Sequence, residues 1–522
     1  MVEFLKENVG EIGEQAIEHL WLSGISIFLS CVAGISLGLA LTRNHKFAGF
    51  FIGVTGVMQT IPSLAMLGFF IPFLGIGKLP AIVALFLYAL LPIVRNTYTG
   101  IQNIDANIRE AAMAMGMTRY QLLAKVEFPL ALPVIFAGIR TATVINVGVA
   151  TLCALIGAGG LGEFIFRGIT LNSTPMILAG AIPASILAIS LDYGLSLVQK
   201  NVRKRLWPFI AGMAIVIGIY PAWSILNQSD NKAGLVAGFN SEFMNRTDGW
   251  PGLSEAYDLQ LPAVELEITL MYEALKNQEV DVIAGFTTDG RIQSYNLRVL
   301  EDDLRYFPPY YAAPIVKLET LKEYPLLEAS LTKLDGKIPK ELIAYLNLKV
   351  DQHEFSIEQA ADSLLSSVTK GVFAKNPALP GKEKLVIGSK AFTESYILAT
   401  FLSEYVETTT GYPTDLKLGF GGTKLLFDAF LSGDIKLYPE YTGTALLVFV
   451  QPSKTVIDSL LQSPEKIHTF TNSELKEDFG VVMLPSFGFN NTTALMMREE
   501  LADQLGIVTI SDLKNYIIRF DQ

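Results

Sequence analysis

Residues 110–133 read EAAMAMGMTRYQLLAKVEFPLALP, and the fold turns on this stretch. It lies between long apolar runs and sets small residues at Ala111, Ala112, Ala114 and Gly116 behind Glu110, with Pro129 downstream. Small side chains in that pattern let a short helix lie close in a groove of another protein, and Glu110 offers that partner a charge. Arg95, Arg109, Arg119 and Lys125 mark the surrounding loop as cytoplasmic, because basic loops stay on that side of a membrane.

Outward from this loop, long uncharged runs occupy 20–42, 47–77, 79–94, 141–162, 168–191 and 206–229. A helix needs about 20 apolar residues to cross the hydrocarbon core. Six spans are expected, the third slightly short and the fourth starting near Pro133. The second run, with Pro62 and Pro72, is expected to be kinked or re-entrant at its end. Arg43 and Lys46, the loop just described, and Lys200, Arg203, Lys204 and Arg205 alternate correctly for three cytoplasmic loops, while the opposite loops carry only Lys78 and Arg167. Residues 230–522 then lie outside the cytoplasm. Glu3, Glu7, Glu11, Glu14 and Glu18 precede the first span, unlike the basic start of a cleaved signal peptide. Arg140 and Asp192 sit near span ends and read as interfacial or dimer-facing groups.

Charge divides the chain at the same place. Fourteen basic and ten acidic residues lie up to 229, leaving 26 and 41 in the remainder of a chain whose net charge is −11. An acidic soluble region of this size argues against nucleic-acid binding. The four histidines are scattered, and Cys31 and Cys153, the two cysteines, both lie in apolar runs, so neither a metal spacing nor a disulfide framework is present. GFGGTK at 419–424 lacks the Gly-Lys-Ser/Thr ending of a phosphate-binding loop, so ATP hydrolysis is not expected of this chain.

The region after 229 alternates short apolar strands with amphipathic helices. VDVIAGF (280–286), LVIGS (385–389), IKLYPEY (435–441) and ALMMRE (494–499) read as strands; 316–324, 337–346, 357–369, 395–408 and 423–431 read as helices. GVFAKNPALPGKE (371–383) has Pro and Gly punctuation without periodicity and reads as a linker.

Two resemblances follow from these residues. Glu110, Ala111 and Ala112, three residues, Gly116, nine residues, then Val126, Phe128 and Pro129 resemble the ATPase-docking loop of ABC importer permeases, with Val126 and Phe128 for the usual Ile and Leu. LIGAGGLGEFIFRG (155–168) is similar to a segment that recurs in those permeases; its glycines suit either close helix packing or a break near a translocation path. In the soluble region, LVIGSKAFTESYILATFLSEYVE, LGFGGTKLLFDAFLSGDIKLYPEYTGTAL and LPSFGFNNTTALMMREELADQLGIVTISDLKNY (within 384–522) resemble the first half of the solute-binding proteins for glycine betaine, choline and carnitine. LVAGFNSEFMNRTDGWPGL and EVDVIAGFTTDGRIQSYNLRVLEDDLRYFPPYYAAP (within 234–370) resemble the second half. The halves stand in reversed order. This implies a circularly permuted binding domain, with a truncated tandem of two domains as the other reading.

The resemblance implies a multidomain chain. Residues 1–229 form an α-helical, type I importer-like permease with five core spans and a tethering span at 206–229. The second half of a two-lobed, type II α/β binding domain occupies 233–370, the linker 371–383 and the first half 384–522. One lobe takes about 302–480 and the other 495–522 with 234–300. The function implied is import of a quaternary ammonium solute of the glycine betaine, choline or carnitine type, or ergothioneine, across a bacterial cytoplasmic membrane; a ligand-sensing receptor without transport is the rival. The partners implied are an ABC ATPase dimer that uses the ATP, a second copy of this chain, the solute and membrane lipid, with no cofactor bound by this chain. A quaternary ammonium donates no hydrogen bond, so aromatic faces hold it. Tyr441, Tyr310, Tyr311 and Phe286 are the candidate walls. Lys390, Arg246 and Thr444 match donors for a solute carboxylate. Thr493 stands where relatives usually carry an aromatic, which leaves room for a larger solute. Asp289 and Glu440 supply cation-facing charge or hold the lobe structure, the second being the expected role.

Overall fold

A computed structural model describes residues 5–6, 8–43, 45–171, 173–200, 211–215, 217–218, 234–246, 248–370, 376–377, 379, 381–460 and 463–521. Two compact units divide the chain close to residue 231.

The first unit is helical. Its helices are α1 (Val9–Arg43), α2 (His45–Thr60), α3 (Ser63–Leu74), α4 (Lys78–Gln102), α5 (Ala106–Ala114), α6 (Arg119–Ile156), α7 (Gly162–Thr170) and α8 (Thr174–Lys200). Among the described residues, α1, α4, α6 and α8 are long and apolar enough to cross a membrane, and the bent pair α2–α3 makes up to a fifth span. The bend of 98° falls between Thr60 and Ser63, in the middle of the 47–77 run and not at its end. Pro62, which lacks an N–H to continue α2, sits at that break. The third span is longer than expected, because α4 runs through the polar segment to Gln102. The fourth is shifted: the Thr118–Gln121 capping box starts α6 well before Pro133, and the helix stops at Gly157. The tethering span at 206–229 lies outside the described residues except for 211–215 and 217–218, as does most of the 371–383 linker.

Helices in lipid gain little from burying apolar surface, so close approach matters. Gly34 and Gly38, four apart on α1, supply it. A Cβ at Gly34 would lie 2.9 Å from Ile93 Cγ2, and one at Gly38 would lie 2.6 Å from Thr97 Cβ. Both contacts are with α4. Gly138 of α6 does the same on the other side of α4, where a Cβ would meet the Pro92 carbonyl at 2.7 Å.

The second unit holds two five-stranded sheets. The strands are β1 (Ala237–Phe239), β2 (Ala263–Glu265), β3 (Val282–Phe286), β4 (Leu297–Val299), β5 (Ala312–Lys317), β6 (Leu385–Gly388), β7 (Thr414–Lys417), β8 (Leu437–Tyr441), β9 (Val481–Met483) and β10 (Thr493–Arg498). Sheet one has the order β2-β1-β3-β10-β4 and sheet two the order β7-β6-β8-β5-β9. The two share one plan. In each, the third strand of a chain-contiguous set pairs with an antiparallel strand borrowed from the other part of the chain: β10 beside β3, and β5 beside β8. Segments 300–311 and 484–492 therefore cross between the lobes, and they run side by side. Tyr310 N–H donates to Asn490 Oδ1 at 2.7 Å, and Asn491 N–H donates to the Tyr310 carbonyl at 2.9 Å. Two helices bear on the site, α9 (Lys340–Asp351) and α10 (Thr393–Thr410). A core including Phe239, Tyr257, Leu364, Phe401 and Leu495 lies beneath them.

Candidate functional site

In the first unit, the Glu110 loop forms a capped helix with an exposed flank. Asp105 accepts from Asn107 N–H at 2.9 Å and starts α5. After α5 the chain turns at Gly116, whose φ of 80° is disfavoured for any residue with a Cβ. Arg109 Nε donates to Glu127 Oε1 at 2.8 Å, tying α5 to the start of α6. A wider π turn spans Leu123–Glu127 just before Phe128 and Pro129, consistent with the missing Pro129 N–H. Ala112 is buried and holds the helix down; Glu110, Ala111 and Gly116 face solvent and Pro129 is half-buried. Around them Ile108, Met113, Met115 and Tyr120 are exposed, and Tyr120 keeps 74% of its accessible area. Ile108 and Met113 lie on α5, Met115 ends it and Tyr120 opens α6, so exposed apolar side chains flank the Gly116 turn on both sides.

In the second unit, the candidate solute residues gather where the two chain crossings meet the ends of the sheets. Tyr441 ends β8 and is buried. Its ring centroid lies 6.3 Å from Phe392, and Phe392 stacks on Phe286 at 5.7 Å. Phe286 ends β3 and pairs in register with Thr493, which begins β10. Tyr310 is buried on the crossing segment. A Cβ at Gly443 would lie 2.8 Å from the Tyr310 ring, so the 442–444 turn fits against that ring only as glycine. Tyr311, half-buried, donates its N–H to Thr442 Oγ1 at 3.0 Å, and Thr444 is buried in the same turn.

The two cationic candidates are already engaged. Lys390 Nζ lies 2.5 Å from Glu440 Oε1 and 5.3 Å from the centre of the Tyr441 ring. Arg246 donates Nε to Asp248 Oδ1 at 2.8 Å, with Nη2 on the other carboxylate oxygen, and Nη1 lies 3.8 Å from Glu242. Each of these two cations shares its charge with a carboxylate of the chain. Asp289 holds Arg291, with Nη2 at 2.7 Å.

Sequence reasoning missed Phe392, which links Phe286 to Tyr441, and Glu394. The Glu394 side chain is buried, and it accepts from Tyr441 Oη at 2.7 Å, Asn491 Nδ2 at 2.8 Å, Thr288 Oγ1 at 2.5 Å and Asn347 Nδ2 at 3.0 Å. Both residues sit in the SKAFTE segment (389–394), Phe392 at the N-cap of α10 and Glu394 in its first turn, and nothing local in the sequence sets them apart.

Comparison with known proteins adds to this geometry. The family described as the substrate binding domain of ABC-type glycine betaine transport systems matches residues 222–367 and 383–522. The family described as the binding-protein-dependent transport system inner membrane component matches 30–208. A glycine betaine/carnitine/choline transport permease of Bacillus subtilis is 50% identical over 205 residues, which cover 39% of this chain and 94% of that protein. An osmoprotectant import permease of Salmonella typhimurium is 43% identical over 203 residues, 38% of this chain and 94% of that protein. Among solved structures, an inward-facing methionine ABC transporter matches 35% of this chain and 93% of its own with a TM-score of 0.34 and 26% identity. The expected fold class holds: a helical permease of the type I ABC kind, joined to a periplasmic-binding-protein-like domain.

Proposed function

Because this chain belongs to the family of substrate-binding domains of ABC-type glycine betaine transport systems, and carries the matching inner-membrane permease, we propose that it is permease and solute receptor in one subunit of an ATP-driven importer. The chain is an osmoprotectant-transporter permease fused to its binding domain, in the inner membrane with that domain outside the cytoplasm. Two copies would pair to form the pathway within the lipid, and a separate ATPase dimer would dock on the surface around Glu110, Ala111, Ala112, Gly116 and Pro129. The exposed Ile108, Met113, Met115 and Tyr120 support docking over the rival of a sensor without transport.

The solute is a quaternary ammonium compound of the glycine betaine, choline or carnitine type, with ergothioneine as a larger candidate. The observation that carries this reading is the run of rings from Phe286 through Phe392 to Tyr441, with Tyr310 and Tyr311 on the adjoining crossing. A trimethylammonium group is attracted to ring faces and needs no acceptor, and each desolvated contact contributes about 2 kcal/mol. Thr493 beside Phe286 leaves more space than an aromatic would. Any solute carboxylate would share Lys390 with Glu440 and Arg246 with Asp248, or take the Thr444 hydroxyl. Covalent tethering raises the local concentration of loaded domain at the permease. A loaded, closed domain would favour the outward-facing permease, and ATP would drive the switch.

We read the order of the halves as a circular permutation that closes within one chain. The exchange of β5 and β10 between the sheets supports it, since one copy supplies every strand of both. Uptake of labelled choline, glycine betaine and carnitine by cells expressing the chain with an ATPase partner tests the importer. Substitution of Glu110 and Gly116 should abolish uptake with expression intact, and unchanged uptake would refute the docking surface.

A further inference from the structure

We propose that Glu394 is the positioning residue of the solute site: its carboxyl orients Tyr441 and clamps segment 286–288 of one lobe onto segment 392–394 of the other. The proposal rests on the reading of the aromatic rings as a trimethylammonium site.

Four donors from four separate segments converge on this one group. Oε1 takes Tyr441 Oη and Asn491 Nδ2, and Oε2 takes Thr288 Oγ1 and Asn347 Nδ2. Tyr441 ends β8 of sheet two, Thr288 follows β3 of sheet one, Asn491 lies on the crossing that leads into β10, and Asn347 belongs to α9. All five residues are buried. A carboxylate offers about four acceptor positions, so this arrangement fills it. The donors are themselves braced: Asn347 Nδ2 also donates to the Thr288 carbonyl at 2.9 Å, and Thr288 N–H donates to Asn491 Oδ1 at 3.3 Å.

The spacing couples this cluster to the rings. Phe286 stacks on Phe392, and two residues further along each segment Thr288 bonds Glu394. One apolar and one polar contact thus join the same two segments across the lobes. The third ring, Tyr441, is tied by its phenol to the same carboxyl. Loss of the carboxyl frees the Tyr441 phenol and the lobe clamp together, while leaving every ring in the chain.

The test uses the full-length chain in nanodiscs, titrated calorimetrically with choline, glycine betaine, carnitine and ergothioneine; the tightest of the four is carried forward. If the wild type binds none of them, the trimethylammonium reading fails and the proposal falls with it. With binding established, E394Q should weaken it at least about tenfold and T288V about threefold, in line with loss of hydrogen bonds to a charged group. The E394Q/T288V double variant should bind no more weakly than E394Q, because both act through one bond. The tyrosine near-ultraviolet signal induced by saturating solute should shrink in E394Q, a change that general destabilisation does not produce. Unchanged affinity in E394Q, or a double variant whose loss is the product of the two, overturns the proposal. If E394Q does not fold, T288V and N347L decide it: a loss in both supports the clamp, and wild-type affinity in either overturns it.

Discussion

Replacing Tyr441 with Leu keeps an apolar side chain of moderate size and removes the ring. In the wild type that ring is buried at the end of β8, 6.3 Å from Phe392 and under the Lys390 ammonium at 5.3 Å. A desolvated cation–π contact contributes about 2 kcal/mol, which is about a 30-fold change in Kd. The substitution also takes one of four donors from Glu394, so the loss for choline should reach at least that size. The control is 3,3-dimethylbutan-1-ol, which has the shape of choline without the charge. It should bind the wild type far more weakly than choline does, and the two compounds should converge in Tyr441→Leu. Calorimetry on the full-length chain reads both. Equal loss for the charged and the neutral compound would show that Tyr441 acts by filling space and would refute the cation–π argument; unchanged choline affinity would remove Tyr441 from the site.

The remaining expectations concern charge, packing and pH. Lys390→Met should weaken glycine betaine and carnitine more than choline, since only the first two carry a carboxylate; equal effects on all three would confine Lys390 to its pairing with Glu440. Gly38→Leu would put a Cβ 2.6 Å from Thr97 Cβ and 3.1 Å from the Val94 carbonyl, forcing α1 from α4. The cost should be about 1–3 kcal/mol, typical of overpacking, seen as a lower unfolding midpoint in detergent; an unchanged midpoint would refute close α1–α4 packing. Burial raises the Glu394 pKa above its ordinary 4.5, against hydrogen bonds from Thr288, Tyr441, Asn347 and Asn491 that lower it. The folded chain then holds this proton more tightly than the unfolded chain. Its stabilising contribution is full below the ordinary value of 4.5 and is lost as pH rises through the raised value. Glu394→Gln should flatten that limb of stability against pH, and parallel limbs in the two proteins would contradict the shift.

Much of the fold was legible because it depends on local pattern. Hydropathy located the spans now seen in α1, α4, α6 and α8, and Pro62 marked the broken pair, although the bend lies nearer the middle of its run. VDVIAGF, LVIGS, IKLYPEY and ALMMRE became β3, β6, β8 and β10, and the helix expected over 357–369 has those limits. Helix ends set by caps were harder to read: Thr118 opens α6 early, and a hydropathy run cannot register a capping box. In the site, half of the residues named from motifs were aromatic. What sequence could not supply was pairing at long range. The sequence around Lys390 does not show that β8 brings Glu440, fifty residues on, beside it. Arg246 had its partner only two residues away at Asp248, so that pairing was available to a closer reading. Glu394 gathers donors from positions 47 to 106 residues distant, and nothing local marks it as more than an acid in the first turn of a helix.

Calorimetric titration of the full-length chain with choline, glycine betaine, carnitine and ergothioneine reads out the solute class itself. Saturable binding of at least one of these trimethylammonium compounds is expected, one molecule per chain, lost on Tyr441→Leu. Failure of all four to bind a folded chain would contradict that solute class.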